Sequence, residues 1–154
     1  TYNMISIEEF KKKIDKSSRL LGIDPGKKRV GIAITDSNKT VATPLSTLNK
    51  DAFSVFLKEL NKIINEYDIK GIIIGNPLNM DGSKSSSTQS ANDFAVLISK
   101  KVSLPVALWD ERLSTSAAYN LSSSLDVNTS KIKKKIDQNA AAFMLQGAID
   151  YIRK

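Results

Sequence analysis

The residues best suited to chemistry in this sequence are acids placed where predicted strands and helices begin or end. Asp24 closes a short apolar run, Asp110 and Glu111 close another, and Asp137 precedes a helical pattern near the C-terminus. If the fold brings these three ends to one edge of a sheet, each of them contributes an acid to the same rim. Carboxylates at close range repel one another, so such a cluster predicts bound Mg²⁺ or Mn²⁺, which prefer carboxylate oxygens as ligands.

Each of these acids also has an ordinary structural role. Asp24 precedes a Pro-Gly turn, and Asp110 and Asp137 stand where an aspartate can cap the helix that follows. Taken one at a time, the acids are better explained as turn and cap residues. Taken together, at element ends that the fold can bring to one place, a shared site is the better explanation.

The composition narrows both the chemistry and the partners. The sequence has no cysteine and no histidine, which excludes thiolate metal sites, cysteine nucleophiles and the usual general base near neutral pH. The 23 Lys and Arg residues against 16 Asp and Glu give a net charge of +7, which favours a polyanionic partner such as nucleic acid. No apolar run approaches the roughly 20 residues that cross a bilayer, and no leader pattern opens the chain, so a cytoplasmic protein without a membrane partner is expected.

The elements that must position the acids follow from the hydrophobic periodicity. The first three strands form an antiparallel meander, and the uniformly apolar strand at 71–75 is central and covered on both faces. The order of elements predicts an α/β fold with a mixed five-stranded sheet flanked by helices. In chain order the patterns are an amphipathic helix within 4–18, strands at 20–23, 30–34 and 41–47, a helix over 51–67, a strand at 71–75, a helix from Thr88, a strand at 105–109, and a last helix capped by Asp137.

Four segments resemble the signature blocks of one family, in the order in which that family has them. They are GIDPGKKRVGIAITD at 22–36, IIIGNPLNMDG at 72–82, WDERLST at 109–115 and DQNAAAFML at 137–145. On these blocks the chain resembles the YqgF family of pre-16S rRNA nucleases, or Holliday-junction-resolvase-like proteins, in the ribonuclease H-like superfamily. The resemblance implies a ribonuclease H-like nuclease domain at 19–154. The amphipathic pattern before it predicts an N-terminal helical extension at 1–18.

The resemblance also implies an activity and the acids that carry it. We expect a hydrolase that cuts phosphodiester bonds by a two-metal mechanism and matures the 5′ end of 16S rRNA, with ribosomal precursor particles as partners. The implied catalytic residues are Asp24, Asp110, Glu111 and Asp137, and the implied ligands of Mg²⁺ or Mn²⁺ are Asp24, Glu111 and Asp137. Which of Asp110 and Glu111 faces the metals is open at this point.

Basic and polar residues near the acids are candidates for substrate binding. Arg112 is a candidate clamp for a phosphate, and Asn79 can contact the substrate. Lys27, Lys28 and Arg29 can hold the nucleic-acid backbone beside the site, although a solvated hairpin turn explains that run equally well. The sequence departs from resolvase-like relatives at 75–77, where Gly-Asn-Pro stands in place of an acid.

Other functions are compatible with parts of the sequence. Within the superfamily the rival substrate is branched DNA, which requires a symmetric dimer rather than a monomer because a junction needs two sites. Outside the enzyme class, the rival is a ribosome-associated binding protein whose acids only cap helices. GIDPG also resembles the phosphate loop of actin-like kinases, but 154 residues cannot supply the second domain that encloses ATP, and the glycine spacing is not that of a Walker A loop.

Overall fold

The fold is seen in a computed structural model that describes residues 4–26, 28–76, 86–110 and 139–153. These residues form six strands and four helices. The strands are β1 (Met4–Ile5), β2 (Arg19–Pro25), β3 (Arg29–Thr35), β4 (Ala42–Asn49), β5 (Ile69–Asn76) and β6 (Val106–Asp110). The helices are α1 (Ile7–Lys13), α2 (Phe53–Glu66), α3 (Ser86–Lys101) and α4 (Ala140–Ile152).

The strands form one mixed sheet in the order β1-β6-β5-β2-β3-β4. The predicted α/β class and all five predicted strands are confirmed, with β2, β3 and β4 as an antiparallel meander and β2, β5 and β6 parallel. The prediction of five strands misses β1, whose two residues pair in parallel with β6, Met4 opposite Val106. A two-residue strand carries too little alternation to be read from sequence.

Helices cover both faces of the sheet. In β5, Ile72 and Ile74 face a core shared with α2 and α3, whereas Ile73 faces a second core shared with α1 and α4. This confirms the prediction of a central strand. Because both faces are covered, β5 contains a continuous apolar run and not an alternating pattern.

Helix α1 is fixed at its start and on its inner face. The Ser6 hydroxyl accepts a hydrogen bond from the backbone N–H of Glu9 at 3.1 Å, as the Ser-x-x-Glu spacing predicts. Phe10 is fully buried over Gly71, where an added Cβ would lie 2.6 Å from the ring Cζ. The ring of Phe10 therefore occupies space that only glycine leaves open.

Helix α4 lies close against the sheet. A Cβ at Gly22 of β2 would lie 3.0 Å from the Leu145 Cβ, and the helix buries Ala141 and Ala148 on the same side. The helix begins at Ala140 with Asn139 in the N-cap position, and the predicted cap residue, Asp137, lies outside the described residues.

Strand β4 forms one edge of the sheet and contains a β-bulge. Ile32 pairs with Ser46 and Ala33 pairs with Pro44, which leaves Leu45 as the extra residue on β4. The polar residues of this strand are largely exposed. Across the described ranges, no helix combines the length and the apolar character needed to cross a membrane.

Candidate active site

The hairpin between β2 and β3 holds Asp24 at the carboxyl end of β2. The backbone N–H of Gly26 donates to the Arg29 carbonyl at 2.9 Å and closes the hairpin, and Lys50 Nζ donates to the Gly26 carbonyl at 2.8 Å. A Cβ at Gly26 would lie 2.6 Å from the Arg29 oxygen, so this close backbone approach requires glycine. Gly26, two residues after Asp24, is therefore held through both its N–H and its carbonyl group.

Asp24 opens into a pocket of about 330 Å³ between the hairpin, strand β4 and the start of α4. Arg29 lines this pocket together with Asp24, and Asn139 and Ala140 close it from the helix side. The remaining lining residues are Gly26, Gly31, Ile32, Pro44, Leu45, Ser46, Thr47 and Ala141. A carboxylate, a guanidinium and a helix start thus meet in one cavity.

The register of the hairpin shows which face of the sheet Asp24 occupies. Asp24 pairs with Gly31 across β2 and β3. A Cβ at Gly31 would lie 3.8 Å from the Asp24 Cβ and 3.4 Å from the Ala141 Cβ. Asp24 therefore lies on the face that α4 covers.

Asp110 lies at the carboxyl ends of the parallel strands, as Asp24 does, but on the opposite face of the sheet. Trp109 packs on α4, with its ring centroid 5.5 Å from that of Tyr151, and Leu108 packs in the core shared with α2 and α3. Because side chains alternate along a strand, Asp110 belongs to the α2 and α3 face, beside Asn76 in the register. The structure separates Asp110 from Asp24, although the sequence placed both as candidates for one site.

The other predicted site residues divide into two groups. Arg29 lies in the pocket with Asp24, whereas Lys28 is exposed in the turn and does not line the pocket. Among the residues that the structure describes, no group of three or more acids is close enough to hold a metal. The predicted residues outside the described ranges are Lys27, Asn79, Glu111, Arg112 and Asp137.

The donors around the pocket suit a hard divalent cation. Asp24 offers carboxylate oxygens and Asn139 an amide oxygen, and the sequence contains neither imidazole nor thiol. Oxygen donors of this kind suit Mg²⁺ and Mn²⁺, whereas zinc and copper sites rely on nitrogen and sulfur. The residues present therefore fit the predicted Mg²⁺ or Mn²⁺ at Asp24.

Three residues that line the pocket were not predicted as site residues. Thr47 and Pro44 come from β4, whose exposed polar pattern indicates only an edge strand. Asn139 stands at the start of α4, and it lines the pocket only because of the way in which this helix crosses the sheet. The sequence signal for all three is weak because each is brought to the pocket by strand register or helix docking.

The mixed sheet, with helices on both faces and α4 packed over the strand that ends near Asp24, has the ribonuclease H-like α/β fold. The crystal structure of the yeast mitochondrial Holliday junction resolvase Ydc2 shares this fold, with a TM-score of 0.53 over 96% of this chain and 84% of that chain at 12% identity. A family model described as "RuvX: Holliday junction resolvase" matches residues 18–151. The chain belongs to the RuvX family.

Curated relatives agree with this family and confirm the resemblance seen in the sequence. A protein of Pelagibacter ubique named "Putative pre-16S rRNA nuclease" is 56% identical over 149 residues, which cover 97% of this chain and 99% of the relative. A protein of the same name from Rhodobacter capsulatus is 38% identical over 144 residues, covering 94% of this chain and 91% of the relative.

Proposed function

We propose that the protein is a metal-dependent nuclease that hydrolyses phosphodiester bonds in the 5′-end maturation of 16S rRNA precursors in the cytoplasm. The observation that carries the proposal is the pocket in which Asp24, at the carboxyl end of β2, faces the start of α4. The named relatives supply the substrate, pre-16S rRNA, and the net charge of +7 suits a polyanion.

We assign Glu111 and not Asp110 to the catalytic site. Asp110 ends β6 on the face opposite Asp24, and Glu111 is the next residue along the chain. Asp137 precedes Asn139 by two residues, and Asn139 lines the Asp24 pocket. The proposed metal ligands are therefore Asp24, Glu111 and Asp137.

A divalent cation held there would supply an acidified water and a positive charge beside the leaving oxygen. The residues of the chain do the rest of the work. Asp24 would hold the cation at the end of β2. The Arg29 guanidinium can neutralise a phosphate in the same pocket. Lys27, Lys28 and Arg112 add positive charge for the backbone of the substrate, and Asn79 can contact it.

The direct test is cleavage of a single-stranded RNA that carries the 5′ extension of the 16S precursor. We expect cleavage with Mg²⁺ or Mn²⁺ and none with a chelator. Asp24→Asn should abolish cleavage and leave RNA affinity unchanged or higher, because the substitution removes a ligand without removing a positive charge. Equal cleavage in the chelator, or by the Asp24→Asn protein, rejects the proposal.

A matched control is Asp68→Asn. Asp68 is exposed in the turn before β5, at the amino end of the parallel strands and therefore away from Asp24. Its φ of 54° is a conformation that asparagine also adopts. This variant should cleave at the wild-type rate. Loss of activity in both variants would point to damaged protein and not to a lost metal ligand.

A second candidate function is resolution of branched DNA, favoured by the description of the family model that matches residues 18–151. Symmetric cuts across a four-way junction need two sites, so this activity predicts a two-fold dimer. Cleavage of the four-way junction, but not of the precursor RNA, by a protein that sediments as a dimer would favour this candidate.

A further inference from the structure

A row of three residues crosses the sheet on the face that α4 covers. Asp24 pairs with Gly31 across β2 and β3, and Gly31 pairs with Thr47 across β3 and β4. Paired residues on neighbouring strands point to the same face, so Asp24 and Thr47 stand on either side of Gly31. Neighbouring strands lie about 4.8 Å apart, which puts the backbones of Asp24 and Thr47 roughly 10 Å from each other.

Gly31 lies between these two side chains and lets α4 approach the sheet. A Cβ at Gly31 would contact the Ala141 Cβ at 3.4 Å and the Asp24 Cβ at 3.8 Å, so a side chain here would narrow the pocket below α4. Gly31 and the bulge residue Leu45 both line the 330 Å³ pocket. We call the stretch from Asp24 across Gly31 to Thr47 the Gly31 groove.

The walls of the Gly31 groove carry groups that recognise phosphate. Arg29 stands at the hairpin end, and Thr47 presents an exposed hydroxyl on the edge strand. A guanidinium binds phosphate through charge-assisted hydrogen bonds, and a threonine hydroxyl can donate one hydrogen bond to a phosphate oxygen. The volume is at the small end of the roughly 300–1,000 Å³ that ligand pockets occupy, so it suits one nucleotide unit and not a duplex.

We propose that the Gly31 groove binds one sugar–phosphate unit of a single strand, next to the phosphodiester bond that is cleaved at Asp24, with the Thr47 hydroxyl donating to its phosphate. The inference rests on the proposed nuclease function for the role of Asp24. It adds a direction for the strand, which leaves the cleavage site across β3 toward the edge of the sheet. It also makes Thr47 a positioning residue for substrate.

The test compares two threonines on the same strand. Thr47→Val removes the hydroxyl and keeps the β-branched shape. Thr43→Val makes the same change at an exposed position that pairs with Ile34 and does not line the pocket. Binding of a single-stranded oligonucleotide is measured by fluorescence anisotropy in proteins that also carry Asp24→Asn, so that the strand stays intact.

We expect Thr47→Val to weaken binding of the single strand about tenfold, the loss of one hydrogen bond to a charged group, and Thr43→Val to leave it unchanged. Duplex binding should not respond to Thr47→Val. Equal affinity of the two valine variants, or an equal loss on single strand and duplex, overturns the inference.

Gly31→Ala is the second variant, because it narrows the groove without removing a polar group. Its Cβ meets Ala141 at 3.4 Å, a contact that a small shift of α4 relieves, so the variant should fold. We expect weaker single-strand binding at an unchanged unfolding temperature, and wild-type binding would overturn the inference. A wild-type protein that cleaves nothing would reject the nuclease, while a selective loss in Thr47→Val would still support the groove.

Discussion

Gln146, in the middle of α4, accepts a hydrogen bond at 2.8 Å from the backbone N–H of Ala42, the first residue of β4 and 104 positions earlier in the chain. Its amide nitrogen also donates to the Thr40 carbonyl at 3.1 Å and to Asp150 Oδ1 at 3.0 Å. One side chain therefore joins α4 to the start of β4. These two elements form opposite walls of the Asp24 pocket, so this contact helps to set its width.

We predict that Gln146→Ala lowers the free energy of unfolding by about 1–3 kcal/mol, because the partly buried N–H of Ala42 loses its acceptor. The control is Gln89→Ala on α3. The exposed amide of Gln89 donates a hydrogen bond at 2.9 Å to Asp93, four residues further along the same helix. That pair is worth about 0.2–0.5 kcal/mol. Urea unfolding of both variants makes the measurement, and equal losses would contradict the role given to Gln146.

The turn between β3 and β4 predicts a pH dependence. Hydrogen bonds from the Thr40 hydroxyl and then from the Val41 backbone N–H lower the pKa of Asp36 from 3.8 to about 2. A carboxyl whose pKa is lower in the folded state stabilises the fold above the unfolded pKa and loses that effect as the pH falls through the folded value. Asp36→Asn should thus be less stable than wild type at pH 6, with the difference shrinking between about pH 4 and pH 2. A constant difference over this range, in urea unfolding, would contradict the prediction.

The contact between Phe10 and Gly71 predicts a coupled pair of substitutions. Gly71→Ala places a methyl group 2.6 Å from the Phe10 ring and should cost about 1–3 kcal/mol by overpacking. In a Phe10→Leu background the same change should cost less, because the smaller side chain leaves room. A double-mutant cycle by thermal or urea unfolding measures this coupling. Additive effects would show that the cost of Gly71→Ala does not come from contact with the Phe10 ring.

The separation of Asp24 and Asp110 predicts unequal effects of two neighbouring substitutions. Glu111→Gln should abolish cleavage of the precursor RNA, as Asp24→Asn does, because it removes a proposed metal ligand. Asp110→Asn should keep measurable activity, since Asp110 faces α2 and α3. Cleavage rates are compared at saturating Mn²⁺. An inactive Asp110→Asn protein together with an active Glu111→Gln protein would show that Asp110, and not Glu111, is the metal ligand.

Metal binding can be measured without any substrate. A cation that binds only the folded protein stabilises it by about 2.7 kcal/mol at a concentration 100 times its Kd. We expect Mn²⁺ to raise the unfolding temperature of wild type, a chelator to reverse the rise, and Asp24→Asn to show little of it. Equal stabilisation of wild type and Asp24→Asn would place the cation elsewhere.

Local sequence patterns predicted most of the fold. The apolar run at Ile72–Ile74 marked the central strand, and the spacing of Ser6 and Glu9 marked the start of α1, because these signals depend only on neighbouring residues. Strand β1 was missed since two residues show no period. The exact start of α4 could not be read from the sequence, because polar residues precede the helix at 137–139 and more than one of them can cap it.

The site was predicted less completely for a different reason. The position of Asp24 near the end of a strand could be predicted, because a Pro-Gly turn follows it. The face of Asp110 could not, because β6 is apolar up to Trp109 and its alternation shows no inner and outer side. Thr47 pairs with Gly31 through strand register, and Gln146 contacts Ala42 because α4 docks on the sheet. Each partner lies more than a dozen residues away along the chain, so neither contact leaves a local sequence pattern.

The two margins of the sheet differ in length yet both discourage pairing with another molecule. One margin is β1, which offers only two residues, and the other is β4, where Pro44 lacks an N–H and the bulge beside it breaks the regular spacing of backbone groups. Within the part of the chain that the structure describes, neither margin therefore offers another molecule a long, regular row of backbone groups to pair with. A nucleic-acid strand that crosses β3 toward β4, as proposed above, would thus meet an edge that stays open without promoting aggregation.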